Sequence, residues 1–131
     1  MFKVLEKTQL SDAVFELKVE APDIARKAQA GQFLIVRACE GGERVPFTFS
    51  DWSAEEGWIK FIFMKVGKTS HLLSHLEKHD EILDVAGPLG HATDVLDKKR
   101  IAVVGCGVGS AVAYPVAREL CKQGAEVTVI E

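Results

Sequence analysis

The stretch VFELKVE, Val14–Glu20, decides the fold, because apolar and charged residues alternate along it. Phe15, Leu17 and Val19 point to one face of an extended chain, and the charged residues between them point to the other. This pattern indicates a strand with one face in a core and the other in water. Five further strand candidates occupy residues 2–7, 32–38, 45–50, 58–66 and 81–86.

One helix interrupts these strands. Thr69 or Ser70 is expected as its N-cap, leucines between residues 72 and 76 form its apolar stripe, and the pattern ends before Asp80. Six short strands with a single helix predict a mainly β domain. The arrangement that closes such a sheet most easily is a six-stranded antiparallel Greek-key barrel with one capping helix.

The character of the chain changes after residue 97. Ile101–Val104 is a continuous apolar run, typical of a buried parallel strand. A glycine loop, an Ala- and Val-rich helix to about Gln123 and a second apolar strand, Val127–Ile130, follow it. These elements predict a β-α-β unit.

The chain is therefore expected to contain two units, a barrel over residues 1–97 and a truncated nucleotide-binding β-α-β unit over residues 98–131. Two parallel strands and one helix leave a sheet edge and an apolar face uncovered. We expect that the natural protein is longer or that a partner completes this sheet.

The composition is that of a globular protein, with 47% hydrophobic and 27% charged residues. The formal net charge is −3 and the charges are scattered, so no basic surface for nucleic acid is expected. No apolar run approaches the roughly 18 residues of a membrane span, and the N-terminus lacks the pattern of a signal peptide. We expect a cytoplasmic protein with no nucleic-acid or membrane partner.

Neither the cysteines nor the histidines form a convincing metal-binding pattern. The three cysteines have no C-x-x-C spacing, so they are interpreted as reduced packing residues. Three histidines between residues 71 and 79 recur every four residues and would share one helix face, where they could chelate a metal. A solvated helix face is the simpler interpretation, and we predict no metal site.

The glycine loop at residues 105–110, GCGVGS, lies between a predicted strand and a predicted helix. The backbone amides of Gly105, Gly107 and Gly109, together with the helix N-terminus, suit the pyrophosphate of a dinucleotide. Ser110 replaces the third glycine of G-x-G-x-x-G, so a plain tight turn is the alternative. Glu131 stands where an acid can bind the ribose hydroxyls of NAD, and it is equally interpretable as a solvated chain end.

Two segments of the barrel also carry residue types that bind phosphate. Gly67–Ser70 follows a strand and opens the helix, where backbone amides favour an anion; a plain N-cap is the alternative. In Arg44–Ser50, RVPFTFS, alternation puts Arg44, Pro46 and Thr48 on one face. A guanidinium donates two parallel hydrogen bonds to a pyrophosphate, although a surface arginine beside a core strand is common.

Three motifs, in this order, resemble the FAD-binding barrel of the ferredoxin-NADP+ reductase superfamily: Arg44–Thr48 (RVPFT), Val66–Ser70 (VGKTS) and Asp84–Gly90 (DVAGPLG). The resemblance covers essentially the whole chain and implies FAD as cofactor, with NAD(P)H as a possible electron donor or acceptor. Many members have R-x-Y-S with a tyrosine stacked on the flavin. Here the arginine lies one position further from the hydroxyl, and the motif contains no tyrosine.

The resemblance implies a role for each motif residue. Thr48 would approach flavin N5 and is the expected catalytic residue. Arg44 would bind the FAD phosphate, and Pro46 and Phe47 would line the isoalloxazine. The other cofactor-binding residues are expected where the chain enters the helix, at Met64, Lys65, Val66, Gly67, Thr69 and Ser70.

The R-x-P-x-T form of the motif resembles that of two bacterial and archaeal subgroups. One contains the small subunit of NADH-dependent reduced ferredoxin:NADP+ oxidoreductase, also described as sulfide dehydrogenase. The motif resembles this subgroup more than the other. The other contains the electron-transfer subunit of dihydroorotate dehydrogenase. Both normally carry a cysteine cluster for a [2Fe-2S] centre after the nucleotide domain. Cys39, Cys106 and Cys121 lack its spacing, so we expect no iron-sulfur cluster in this chain.

The implied function is that of a flavin-dependent oxidoreductase subunit, which relays electrons between NAD(P)H and an iron-sulfur centre or partner subunit. A non-catalytic FAD-holding module is the alternative, because the nucleotide-binding unit is incomplete. The expected partner is a larger oxidoreductase subunit, or a second copy of the chain that associates through the C-terminal unit.

Overall fold

The computed structural model describes residues 1–94 and 97–131. The first elements are β1 (Phe2–Gln9), β2 (Val14–Glu20), α1 (Pro22–Ala25), β3 (Phe33–Arg37), β4 (Arg44–Ser53), β5 (Trp58–Met64), α2 (Lys68–Ser74), β6 (Glu81–Ile82) and β7 (Asp84–Leu89). They are followed by β8 (Arg100–Val104), α3 (Gly109–Lys122) and β9 (Glu126–Ile130). Residues 95–96, just before the predicted boundary at residue 97, lie outside the described ranges.

The strands β1 to β7 form one antiparallel sheet in the order β6-β1-β2-β5-β4-β3-β7. The two edge strands of this sheet, β6 and β7, are consecutive in the chain, with only Leu83 between them. The sheet therefore curls until its edges meet, and β6 and β7 act as two halves of one sixth strand. This confirms the predicted mainly β architecture of a six-stranded Greek-key barrel.

Aromatic and branched side chains from the inward faces fill the barrel. Phe49 and Phe61 are fully buried, and the Phe61 ring lies 5.0 Å from the Phe47 ring and 6.0 Å from the Phe63 ring, between centroids. In β2, the alternate residues that the sequence predicts to be inside are buried as well. The interior is therefore occupied by protein, and a ligand has the outside of the barrel available to it.

The helices of the barrel differ in detail from the sequence-based expectation. The four residues of α1 form a helical turn with Pro22 at its start, in addition to the one helix that the sequence predicts in the barrel. The prediction that Thr69 or Ser70 caps α2 is wrong, because the N-cap is Gly67, which has an extended backbone with φ −144° and ψ −178°. Ser70 instead lies inside the first turn of α2.

The C-terminal elements form the predicted β-α-β unit. β8 and β9 pair in parallel, with Ile101 opposite Val127, and α3 connects them. Apolar side chains of this small sheet remain exposed: Val104 is 70% and Val129 is 52% exposed. The division of the chain into units 1–97 and 98–131 stays a prediction.

The substitution Phe61→Ala should lower the free energy of unfolding by about 3–5 kcal/mol, because it leaves a cavity among the inward-facing rings. Ile62→Ala is the matched control, since Ile62 is the next residue, points outward and is only partly buried. It should cost well under half as much. Urea unfolding followed by far-UV circular dichroism measures both losses, and equal losses would contradict the assignment of the two faces.

Candidate functional site

Three neighbouring strands, β3, β4 and β7, share an outward face on which cross-strand partners stand in rows. Partners lie side by side on one face of a sheet, and residues two apart along a strand are separated by about 6.8 Å. We call this surface the outer face. Its rows, taken from β4 through β3 to β7, are Thr48, Phe33 and Leu89; Pro46, Ile35 and Ala86; and Arg44, Arg37 and Asp84.

The first two rows of the outer face are apolar except for the hydroxyl of Thr48. Phe33 and Ile35 are half-buried and Pro46 is exposed, so the rows form a shallow surface that suits a flat ring. Gly90, directly after β7, permits this packing. Its φ is +75°, and a Cβ at this position would lie 2.9 Å from the Phe33 ring.

The third row is charged. Arg44 and Arg37 are direct cross-strand partners, an arrangement that is unfavourable for like charges. Asp84 offsets the repulsion, because its Oδ2 accepts a hydrogen bond of 2.9 Å from Arg44. The Arg37 Nε donates to the Gly42 carbonyl at 3.3 Å. The Arg44 and Asp84 side chains are 54% and 44% exposed, so their ion pair is weak and an incoming anion can replace the carboxylate.

Phe47 lies on the opposite face of β4 from Arg44, Pro46 and Thr48, as the alternation predicts. Its ring is stacked 5.0 Å from the Phe61 ring inside the barrel. A ligand on the outer face would therefore meet the backbone of Phe47 rather than its ring.

Ser70 holds the turn that leads into α2. Its Oγ accepts hydrogen bonds from the amides of Val66, at 2.9 Å, and Gly67, at 2.8 Å, and donates to the Gly67 carbonyl at 3.0 Å. The hydroxyl is thus engaged with the protein itself, and Ser70 shapes this segment through its backbone contacts.

The start of α2 faces the turn between β3 and β4 across a groove of about 180 Å³. Lys68 and Thr69 line one side of this groove, and the turn that leads into Arg44 lines the other: Cys39, Glu40, Gly41, Gly42 and Glu43. The fold therefore places the start of α2 opposite the turn that leads into the Arg44–Ser50 segment, although no residue of that segment itself lines the groove. Just before α2, Met64 and Val66 are 45% and 79% exposed, and the Lys65 amide donates to the Ala13 carbonyl at 2.7 Å.

The glycine loop connects β8 to α3 in the manner of a nucleotide-binding turn. A Cβ at Gly105 would lie 2.8 Å from the Ser110 Cα, so this position requires glycine for the close approach of loop and helix. Gly107 has φ +57°, and both Gly107 and Gly109 face open space. Both glycines are exposed at the N-terminus of a 14-residue helix, which favours an anion, and the Gly109 amide already donates to the Cys106 carbonyl at 3.0 Å.

Arg118 joins α3 to the barrel. It donates a hydrogen bond to Asp51 Oδ1 on β4, and its guanidinium lies 4.9 Å from the centre of the Trp52 ring and 5.3 Å from that of Tyr114. Burial by itself lowers the pKa of Arg118, but the hydrogen bond and the charge of Asp51 outweigh burial and raise it. The guanidinium therefore remains charged between these partners.

Several of these residues are absent from the sequence-based prediction. Phe33, Ile35 and Arg37 become neighbours of the RVPFT motif only when β3 pairs with β4. The alternation in Gln32–Ala38 carried a signal, because it places these three residues on one face. Nothing near Arg118 in the sequence indicates its contact with Asp51.

The structure also bears on the remaining sequence features. In residues 1–94 and 97–131, no group of three or more His, Cys, Asp and Glu side chains is arranged to hold a metal ion. The three histidines do not share one helix face, because α2 ends at Ser74 and His79 has φ +79°. The interpretation of the three cysteines as packing residues is also wrong, because all three are exposed, and they are unpaired. None of the helices in these ranges is both long and apolar enough to cross a membrane.

Comparison with known sequences connects the chain to electron-transfer subunits. No protein-family model matches it. It is 37% identical over 128 residues to a "Dihydroorotate dehydrogenase B (NAD(+)), electron transfer subunit homolog" of Thermotoga maritima, covering 98% of the chain and 45% of that protein. It is 33% identical over 131 residues to the dihydroorotate dehydrogenase B electron transfer subunit of Desulforamulus reducens, covering 97% and 50%. The chain thus spans about half the length of these curated relatives.

Comparison with solved structures gives the same fold. The NADH-dependent reduced ferredoxin-NADP oxidoreductase structure contains a chain with a TM-score of 0.95 and 36% identity, over 98% of this chain and 47% of that one. The ferredoxin reductase of carbazole 1,9a-dioxygenase has a TM-score of 0.84 at 20% identity, over 98% and 40%, which shows likeness of fold alone.

The substitution Ser70→Ala should lower the free energy of unfolding by about 1–2 kcal/mol, because two backbone amides lose their acceptor. Lys68→Ala is the control, since it changes an exposed residue of the same helical turn and leaves these hydrogen bonds intact. Thermal unfolding measures both effects. If the two variants melted alike, the hydroxyl of Ser70 would not be what holds this turn.

Proposed function

Because the chain belongs to the ferredoxin-NADP+ reductase superfamily, we propose that it is the FAD-binding part of an electron-transfer subunit. In this proposal the subunit relays electrons between NAD(P)H and an iron-sulfur centre or a partner subunit. The observation that carries the proposal is the change in polarity along the outer face. Its first two rows are apolar apart from the Thr48 hydroxyl, and its third row is charged.

The residues of the outer face fit the two chemically different ends of FAD. Thr48 and Arg44 are four positions apart on β4, about 13 Å along the strand. One end offers a hydroxyl beside flat apolar surface for the isoalloxazine. The other offers a guanidinium with only one of its donors used by Asp84, which leaves the rest for the diphosphate.

The proposed roles of the barrel residues follow from these positions. Thr48 donates a hydrogen bond to flavin N5, Pro46 and the backbone of Phe47 line the ring, and Arg44 holds the diphosphate. The chain entering α2 supplies further backbone contacts to the cofactor, at Met64, Lys65, Val66, Gly67, Thr69 and Ser70. When bound, FAD supplies the ability to accept a hydride and to pass on single electrons. The protein binds and orients the ring.

The glycine loop is the proposed binding site for the pyrophosphate of NAD(P)H. Gly107 and Gly109 have open space beside them, and Gly105 allows α3 to begin close to the end of β8. Accessible backbone amides at a helix start donate to an anion without a charged side chain.

The family relationship supports two versions of this function. The solved structure at 36% identity is a NADH-dependent reduced ferredoxin-NADP oxidoreductase, whereas the curated relatives carry the dihydroorotate dehydrogenase name. Both versions use the same flavin site. Because the chain spans about half of its relatives, a module that holds FAD without reducing it is the remaining candidate.

Mixing the FAD-loaded chain with NADH or NADPH in a stopped-flow instrument separates relay from holding. Bleaching of the flavin absorbance at enzyme-like rates supports relay. Tight FAD binding without bleaching supports the holding module, and failure to bind FAD would remove both.

We also propose that the C-terminal unit contacts a larger oxidoreductase subunit or a second copy of the chain. The relatives are named as subunits of larger assemblies. The exposed apolar side chains of β8 and β9, among them Val104 and Ile130, suit burial against further protein. The cytoplasmic location expected from the sequence remains part of the proposal.

The substitution Arg44→Ala should weaken FAD by about 1.5–3 kcal/mol, because a charge-assisted hydrogen bond to the diphosphate is lost. FMN, which lacks the diphosphate, should bind more weakly to the original chain and lose less in the variant. Arg100→Ala removes an exposed arginine from the C-terminal unit and is the control. Fluorescence titration with both flavins measures the affinities; equal losses for FAD and FMN would rule out the diphosphate role.

The substitution Thr48→Val should leave FAD affinity nearly unchanged and shift the midpoint potential of the bound flavin, because the hydroxyl is assigned to the ring. Thr48→Ser keeps a hydroxyl and should restore the original potential. Spectroelectrochemical titration gives the potentials. A large loss of affinity in the valine variant, without a shift of potential, would show that Thr48 does not act on the ring.

A further inference from the structure

We propose that Arg118 is a positioning residue that fixes the glycine loop relative to the flavin-facing strand. The contact it makes between α3 and β4 sets where the nucleotide-binding end of α3 stands with respect to Thr48. This inference rests on the proposed function, because it assigns a purpose to the contact through the flavin and the nucleotide.

The contacts of Arg118 hold its guanidinium on several sides at once. Its Nη1 donates to Asp51 Oδ1, and its plane lies near the rings of Trp52, at 4.9 Å, and Tyr114, at 5.3 Å. The Arg118 and Asp51 side chains are each only 26% exposed. A planar cation that is both stacked and hydrogen-bonded has little rotational freedom, so the contact fixes direction as well as distance.

The barrel side of this contact lies on the strand that carries Thr48, beyond an irregularity in its pairing with β5 between Phe49 and Asp51. Asp51 and Thr48 lie on the same strand, β4, three residues apart. The backbone amide of Trp52 donates to Asp51 Oδ1 at 2.8 Å, which orients the carboxylate. The Trp52 ring packs edge-on against the buried Phe49, with centroids 6.2 Å apart. Movement of Asp51 would therefore disturb the core.

The helix side is equally direct. Arg118 and Gly109 lie on one helix, α3, nine residues apart, or about 13.5 Å along its axis, with Pro115 inside the helix between them. Tyr114 is four residues before Arg118 and lies on the same helix face, so its ring is a second aromatic neighbour of the guanidinium. A shift of Arg118 would therefore be passed along this helix to the glycine loop at its start.

The covalent connection does not replace this contact. Residues 91–94 and 97–99 between β7 and β8 belong to neither helix nor strand. Among the ion pairs of the described residues, Arg118 with Asp51 is the one that joins the barrel to residues 98–131. The placement of the loop therefore depends on the packing of α3 on β4, in which Arg118 supplies the directional interaction.

Energy transfer between the glycine loop and bound FAD tests the inference in the complete chain. Cys39→Ser with Cys121→Ser leaves Cys106, an exposed residue of the loop, as the single thiol for a fluorescent donor. The original chain should show one narrow donor–flavin distance. We call a molecule docked when α3 is packed on β4 through the Arg118 contact. Arg118→Gln should lower the ratio of docked to undocked molecules about 3- to 10-fold and broaden the distribution of donor–flavin distances, while FAD affinity stays unchanged.

Three further variants separate positioning from general stability. Asp51→Asn removes the partner from the barrel side and should broaden the distance as Arg118→Gln does. Arg118→Lys keeps the charge but loses the planar stacking, so it should restore the distance only in part. Arg100→Gln removes an exposed positive charge from the same unit and should change nothing. An unchanged distance in both Arg118→Gln and Asp51→Asn would overturn the inference.

A second measurement does not require the flavin. With Trp58→Phe, Trp52 is the only remaining tryptophan, and its emission reports directly on the guanidinium stacked against it. A shift in Arg118→Gln but not in Arg100→Gln supports the contact in solution, and no shift overturns it. If FAD failed to bind the original chain while the Trp52 shift persisted, the proposed function would fall and the docking contact would stand.

Discussion

The structure depends on the alternation of β4, because this strand serves the core and the outer face at the same time. Phe47 and Phe49 point inward, where Phe47 stacks on Phe61 and Phe49 is fully buried. Arg44 and Thr48 point outward on the opposite face. A shift of register by one residue would exchange the two sets, placing a guanidinium among phenylalanine rings. The packing of the core therefore holds the proposed cofactor residues in place.

The elements that depend on local pattern were predictable from the sequence. Alternation in Val14–Glu20 and the uniform apolar run Ile101–Val104 identified an antiparallel barrel and a parallel unit, and both are present. The cap of α2 was misplaced. Hydroxylated residues are the usual N-caps, but here Ser70 acts from inside the helix on the amides before it.

The candidate site was predictable only along single strands. The RVPFT motif identified Arg44, Pro46 and Thr48, but not their neighbours Phe33 and Arg37, which pairing brings to the same face. Arg118 and Asp51 are 67 positions apart, and neither has a local signature. Contacts between strands and between units arise from strand register and packing. They join residues that are far apart in the chain, so no local pattern in a single sequence reveals them.

The filled interior of the barrel has a consequence for the binding and release of the cofactor. Many barrels enclose their ligand, so loading and release require a mouth to open. Here Phe49 and Phe61 occupy the centre, and the outer face is made of residues already ordered by pairing. The core of such a protein does not include the cofactor, so we expect the apoprotein to be folded before flavin binds. The cofactor can then be exchanged without unfolding or replacing the polypeptide.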